Sequence, residues 1–333
     1  MFDLPTIWAG IIAFAVLTYV ILDGFDLGVG ILFPTARTHG DRDVMMNSVA
    51  PVWDGNETWL VMGGGGLFAV FPLAYAVVMP ALYMPIVLML LALVFRGVAF
   101  EFRWRATRSR PVWDVAFAGG STVAAFCQGI ALGALVQGIE VQDRAYAGGW
   151  WDWLTGFSIL TGAAVTVGYA LLGATWLVMK TTGDLQARMR RLAWPLAFAT
   201  LGAVGAVSLI TPFLEPVYFE RWFAWPAAAY SAVVPILLAV AVWRLYRGLV
   251  DRVDREPFLA TLAIFVVSFA GLGVSFYPNI VPPGLSIAEA AAPDDSLRFA
   301  LVGTAALVPI ILAYTAYAYW VFRGKVDPDA GYH

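Results

Sequence analysis

Charge is scarce in this chain: Asp, Glu, Lys and Arg make up 13% of it, against 61% hydrophobic residues, where a soluble domain carries about a quarter charged. A soluble globular fold is therefore excluded and a polytopic membrane protein expected. Cysteine is nearly missing. Cys127 alone, inside an apolar run, allows neither a disulfide framework nor a Cys-based metal site within the chain. Histidine is restricted to His39 and His333. Because a buried haem takes its axial ligands from His, Cys, Met or Tyr, most often His, the chain is not expected to hold a haem or metal centre by itself. Met62, Met84 and Met89 read as packing, so any redox chemistry belongs to a partner. A net charge of -3, with Lys and Arg confined between apolar runs, argues against nucleic acid as a partner. The opening MFDLPTIW lacks the basic stretch and small-residue cleavage site of a signal peptide, so the first apolar run is expected to stay in the bilayer.

What is present is a series of apolar runs, each close to the ~20 residues that cross a hydrocarbon core. Nine are expected as transmembrane helices, at 6–33, 54–73, 75–102, 112–138, 153–179, 192–214, 226–249, 258–279 and 299–322. The run at 54–73 is the weakest, because Gly63 to Gly66 lowers its helix propensity; glycine is nevertheless common where membrane helices approach closely. With nine spans, all Lys and Arg except Arg144, Arg221, Arg298 and the intramembrane Arg96 fall on one side. Omitting the second span weakens that bias. The positive-inside rule then places the N-terminus outside and the C-terminus in the cytoplasm, with Trp150-Trp151-Asp152-Trp153 and Trp222-Phe223-Ala224-Trp225 at the outer interface.

Polar groups interrupt the runs at three places: Asp23 and Asp26 in the first, Asp54 and Glu57 at the start of the second, and Arg96 and Glu101 near the end of the third. This topology brings all three to the cytoplasmic side. Intramembrane carboxylates are costly and mark ion or proton paths when they face water or a protein interior. Asp23 and Asp26, three apart, share a helix face and with Asp54 form the mouth of a proton-conducting cavity. Structural roles compete. Asp54 with Glu57 three residues on reads equally as a capping box; Asp23 and Asp26 read as partners of Arg96; Gly24 and Gly28 form a small-residue packing face. Glu101 with Arg105 reads as a surface pair, Arg103 to Arg110 as a topology signal, and Gln128 and Gln137 as helix-bridging amides. A self-sufficient proton- or cation-coupled transporter is the alternative class, although Gly63 to Gly66 has no counterpart break in the second half.

Six stretches carry a family resemblance: DGFDLGVG (Asp23 to Gly30), NSVAPVWDGNETWLV (Asn47 to Val61), GGLFAVFP (Gly65 to Pro72), RGVAFEFR (Arg96 to Arg103), GATWLVMKTTGDLQARMRR (Gly173 to Arg191) and VPIILAYTAYAYW (Val308 to Trp320). Together they resemble subunit II of the cytochrome bd family of quinol oxidases, without separating its cyanide-insensitive branch. The region from Glu215 to Glu256 matches less well and is shorter than in some relatives. The resemblance implies an all-α membrane domain over 1–333. It would consist of two four-helix bundles, about 1–140 and 150–325, plus a peripheral helix, in a bacterial inner membrane. It implies a pseudo-symmetric heterodimer with a subunit I that carries two b-type haems and one d-type haem. It leaves open a small single-helix accessory subunit and a structural quinone or lipid in this chain. The implied activity is oxidation of quinol from the membrane pool and reduction of dioxygen to water with cytoplasmic protons. The route for those protons carries over to Asp26 and Asp54, and with them Asp23; Glu57, Arg96 and Glu101 are candidate neighbours.

Overall fold

A computed structural model describes residues 3–327; His333 lies outside the described residues. The chain is helical nearly throughout. Its helices are α1 (Leu4–Leu32), α2 (His39–Asn47), α3 (Trp53–Val70), α4 (Pro72–Ala81), α5 (Tyr83–Arg105), α6 (Arg110–Gln137), α7 (Gly156–Lys180), α8 (Gly183–Ile210), α9 (Pro216–Phe223), α10 (Ala227–Ser231), α11 (Val233–Val250), α12 (Glu256–Phe276), α13 (Ile287–Ala290) and α14 (Asp294–Val321). The only strands among the described residues form two small antiparallel hairpins. One pairs Val141–Gln142 with Ala145–Tyr146 across Asp143 and Arg144, whose φ values of 47° and 64° are left-handed; the other pairs Asn279–Val281 with Leu285–Ser286.

Eight helical segments among the described residues are long and apolar enough to cross a membrane. The expected second span is not one of them. It forms α3, whose 18 residues extend about 27 Å, but Asp54, Asn56 and Glu57 in its first turns lower its hydropathy. The expected third span, 75–102, is not one helix. Its boundary with the second span falls near the expected one, at Phe71, which stands before Pro72 and leaves the helical region (φ -131°, ψ 60°), as a residue preceding proline tends to do. A second break falls at Leu82 (φ -110°, ψ 21°), bracketed by Pro80 and Pro85, neither of which can donate a backbone hydrogen bond. The expected run at 226–249 is met by a single span, Ala227–Val250, in which Ala232 separates α10 from α11 while keeping right-handed helical angles (φ -58°, ψ -21°).

α7 lies at the centre, packed by α1, α6, α8 and α12, while α5 pairs with α6, α11 with α12, and α3 with α1. The α1–α7 crossing is a backbone contact. A Cβ on Gly28 would meet the Tyr169 carbonyl oxygen at 1.8 Å, and one on Gly173 would meet the Gly28 carbonyl carbon at 2.3 Å. No side chain fits, so the packing role expected of Gly28 is realised. α14 is peripheral: it touches α1 and α3, and Leu297 is its only fully buried residue.

Ion pairs gather the basic loops at one end. Arg103, fully buried, pairs with Asp43 at 2.7 Å and Asp114 at 2.5 Å, while Arg110 holds Asp43 at 2.5 Å. Reading Arg103 only as a topology signal therefore missed a structural role. Arg188 reaches Asp41 at 2.7 Å, and Arg190 and Lys325 reach Asp254 at 2.8 and 2.7 Å. Partial burial pushes the carboxyls of Asp41 and Asp254 upward. The hydrogen bonds from Arg188 and the Arg37 backbone N–H to Asp41, and from Lys325 to Asp254, outweigh it and hold both below their usual values. At the opposite end, Trp8 Nε1 donates to the Leu297 carbonyl at 3.1 Å and Tyr218 Oη to that of Val136 at 3.1 Å.

Gly28→Ala should lower the thermal stability of the purified protein by at least the roughly 1–3 kcal/mol typical of overpacking, whereas Gly64→Ala, with nothing within 4 Å of the added Cβ, should leave the melting curve in place. A folded-state pKa held low stabilises the fold above the unfolded pKa and ceases to do so as pH falls through the folded value. Asp41→Asn should therefore be less stable than the parent at neutral pH and converge with it below about pH 4, as read by melting curves across that range.

Candidate functional site

Asp23 and Asp26 lie on one face of the cytoplasm-predicted half of α1, where Asp-Gly-Phe-Asp turns both carboxylates toward α5. There Arg96, one turn before Phe100, projects between α1 and α3. Arg96, Asp23 and Asp26 are each 0% exposed. The guanidinium is 3.3 Å from Asp23 Oδ1, 3.9 Å from Asp26 Oδ2 and 3.6 Å from Glu57 Oε2. It also sits 5.8 Å from the Trp53 ring centroid and 5.5 Å from that of Phe100, two rings stacked at 4.7 Å. Those aromatic faces attract the cation and wall it off. The reading of Asp23 and Asp26 as partners of Arg96 is thus realised in the geometry, with Glu57 as a third carboxylate.

One cation and three carboxylates within 4 Å cannot all be charged in a low-dielectric interior without a net charge that burial penalises heavily. The arrangement can therefore keep one carboxylate paired with Arg96 while others exchange protons. Exposure is graded: Asp54 is exposed, the Glu57 side chain is 27% exposed, and Asp26 and Asp23 are closed off. Asp54 does not reach Arg96. It occupies the first turn of α3, whose N-cap is Val52 with no side-chain hydrogen bond, so the capping-box reading of Asp54 and Glu57 is corrected. Its charge instead faces the positive end of the helix dipole. Glu101 is exposed, five residues along α5 from Arg96.

Uncharged residues complete the site, and two of them, Asn56 and Tyr319, the sequence did not single out. Asn56, 1% exposed, donates from Nδ2 to Asp26 Oδ2 at 2.7 Å and to the Leu22 carbonyl at 3.3 Å, and its Oδ1 accepts from Tyr319 Oη at 2.8 Å. Gln128 does bridge helices: its Nε2 donates to Tyr19 Oη at 2.7 Å and its Oε1 accepts from Tyr169 Oη at 2.8 Å. Gln137 accepts from Thr155 Oγ1 at 2.5 Å. Among the described residues no group of three or more His, Cys, Asp or Glu is arranged to hold a metal ion. His39 is exposed on α2 and Cys127 is buried in apolar packing.

The fold and the buried carboxylate–guanidinium cluster define a class, the multi-pass all-helical membrane proteins, in which intramembrane ionisable residues are candidates for function. The chain belongs to a particular family within it: residues 4–322 match the family described as cytochrome bd terminal oxidase subunit II. It is 31% identical to cytochrome bd-I ubiquinol oxidase subunit 2 of Escherichia coli (strain K12), over 97% of this chain and 95% of that one. It is 29% identical to cytochrome bd ubiquinol oxidase subunit 2 of Bacillus subtilis (strain 168), over 98% of each. The solved structure of bd oxidase from Geobacillus thermodenitrificans shares the fold, with a TM-score of 0.74 at 17% identity over 97% of this chain and 99% of that one. The chain is therefore one subunit of an oxidoreductase complex and a multi-pass inner-membrane protein, which displaces the transporter alternative.

Arg96→Gln removes the counter-charge from three carboxylates and should cost about 3–5 kcal/mol, the usual penalty for breaking a buried pair from one side. Thermal unfolding of the purified complex would show it. Combined with Asp23→Asn, the loss should be smaller than the sum of the two single losses.

Proposed function

We propose that this chain is the haem-free subunit of a quinol:dioxygen oxidoreductase, that it supports assembly of a haem-bearing subunit I, and that it conducts protons from the cytoplasm toward the site where dioxygen becomes water. The observation that carries the reading is the single buried guanidinium facing three carboxylates of graded exposure. The positive-inside rule assigns the Arg-rich end to the cytoplasm, so Asp54 stands at the mouth. Glu57 follows on the same face of α3, then Asp26 and Asp23 beyond it. Arg96 holds the negative charge of whichever carboxylate has released its proton, and the Trp53 and Phe100 rings exclude bulk water from that exchange. Dioxygen reduction at a buried centre consumes protons that a low-dielectric interior does not supply, and such a file of acids meets that need.

Among the described residues the one histidine, His39, is exposed outside the membrane helices, which supports the haem-free reading. The two b-type haems and the d-type haem are assigned to subunit I, which supplies the electron-transfer chemistry when present. We assign α1, α3, α5 and α6 to one bundle and α7, α8, α11 and α12 to a second, with α14 peripheral. The unburied apolar faces of α3 (Val61, Phe68) and α5 (Leu91, Val94, Phe95) are where lipid and subunit I would pack.

The test is quinol-driven oxygen consumption by the two-subunit complex. Asp26→Asn keeps size and hydrogen bonding but removes the titrating group, so turnover should fall on the order of ten-fold or more, with a smaller fall for Asp54→Asn and unchanged haem bands in both. Loss of haem would assign these acids to packing, and unchanged turnover would remove them from the proton route. The chain expressed alone should show no haem absorbance.

A further inference from the structure

α14 buries almost nothing along its length, yet its last turns are tied inward. Lys180 at the end of α7 donates to the carbonyls of Phe322 and Gly324, Lys325 donates to that of Thr181 at 2.9 Å, and the Val326 N–H donates to the Lys180 carbonyl at 2.8 Å. This clamp sets the register of Tyr319, three residues before Phe322. The Tyr319 ring stands edge-on to Phe25 and Trp176, with centroids at 6.4 and 6.5 Å, and its hydroxyl is aimed at Asn56.

Asn56 has an acceptor end and a donor end of nearly the same shape, and both are committed. The Leu22 carbonyl can only accept, so Nδ2 must face that side; Tyr319 supplies the donor for Oδ1. The consequence falls on Asp26, whose Oδ2 receives the Nδ2–H at 2.7 Å while its Oδ1 has no hydrogen-bond partner in the protein. An oxygen that already accepts an N–H is the poorer one to protonate, because that hydrogen bond stabilises its negative charge.

We propose that Tyr319 is a positioning residue for proton transfer at Asp26: acting through Asn56, it pins a donor on Oδ2 and leaves Oδ1 as the oxygen that takes up and releases the proton. This rests on the reading of Asp26 as a proton carrier. The groups facing Asp26 are Asp23 on its own helix, Arg96 on α5, Asn56 and Glu57 on α3, and Tyr319 through Asn56; removing one hydroxyl alters none of the charges among them.

The experiment compares Tyr319→Phe and Asp26→Asn in the two-subunit complex, using turnover as a function of pH and the redox-induced infrared difference spectrum. For Tyr319→Phe the expected result is full haem content and turnover reduced a few-fold. The steep part of the pH profile should also move by about half a unit to one unit, the effect of losing one hydrogen bond of ordinary net strength. The carboxyl C=O band that Asp26→Asn abolishes should shift in frequency. A profile and band that superimpose on the parent, with Asp26→Asn still slow, would overturn the role of Tyr319 and leave Asp26 as a carrier. Full turnover in Asp26→Asn would remove the reading beneath both. Loss of haem in Tyr319→Phe would also overturn the proposal, since a hydroxyl that only orients an amide is not needed for assembly.

Discussion

A single buried guanidinium governs the arrangement of this protein. Arg96 has no access to water, and the free energy of burying a charge is offset only by opposite charge and aromatic faces close around it. Asp23 and Asp26 must therefore come from α1, Glu57 from α3, and the two rings from Trp53 and Phe100. Three helices are drawn to one point by that requirement. The backbone contact of Gly28 with α7, just beyond the acids on α1, fixes how far the helix can shift once they are in place.

The charge imbalance at this point separates it from an ordinary structural ion pair. At the basic end Arg103 meets two carboxylates and is joined by Arg42 and Arg110, so cations match or exceed acids and the cluster serves as a tie. Around Arg96 the acids outnumber the cation. The first arrangement is satisfied with every acid charged; the second is not, and that imbalance is what the proposed proton route draws on.

Much of the site was legible in the sequence because acids are rare in apolar runs. Asp23, Asp26, Glu57 and Arg96 stood out for that reason, and helix spacing placed the first two on one face. Asn56 was hidden between Asp54 and Glu57, where an amide passes for part of a solvated helix start. Tyr319 was hidden among Tyr314, Tyr317 and Trp320, with nothing local to set it apart. Their contact spans 263 residues, and no local pattern encodes a pairing at that distance. The fold was legible to the level of apolar runs, and the break at Phe71 lies close to the expected boundary after 73, while the interruption at Leu82, between Pro80 and Pro85, was not. Hydropathy is nearly constant across it, and prolines are tolerated often enough in membrane helices that their presence alone does not locate a break.

The clamp at the end of α14 bears on how the protein is made. Tyr319 and the residues that Lys180 grips leave the ribosome well after Asp23, Asn56 and Arg96. A nascent chain can therefore gather its buried charges early but finishes their hydrogen bonding only after α14 has emerged. An acid cluster able to pass protons across a membrane would discharge the gradient if it worked before its consumer was in place. On the proposed proton route, completing the cluster from α14 would delay that competence until every helix from α1 to α14 has been made.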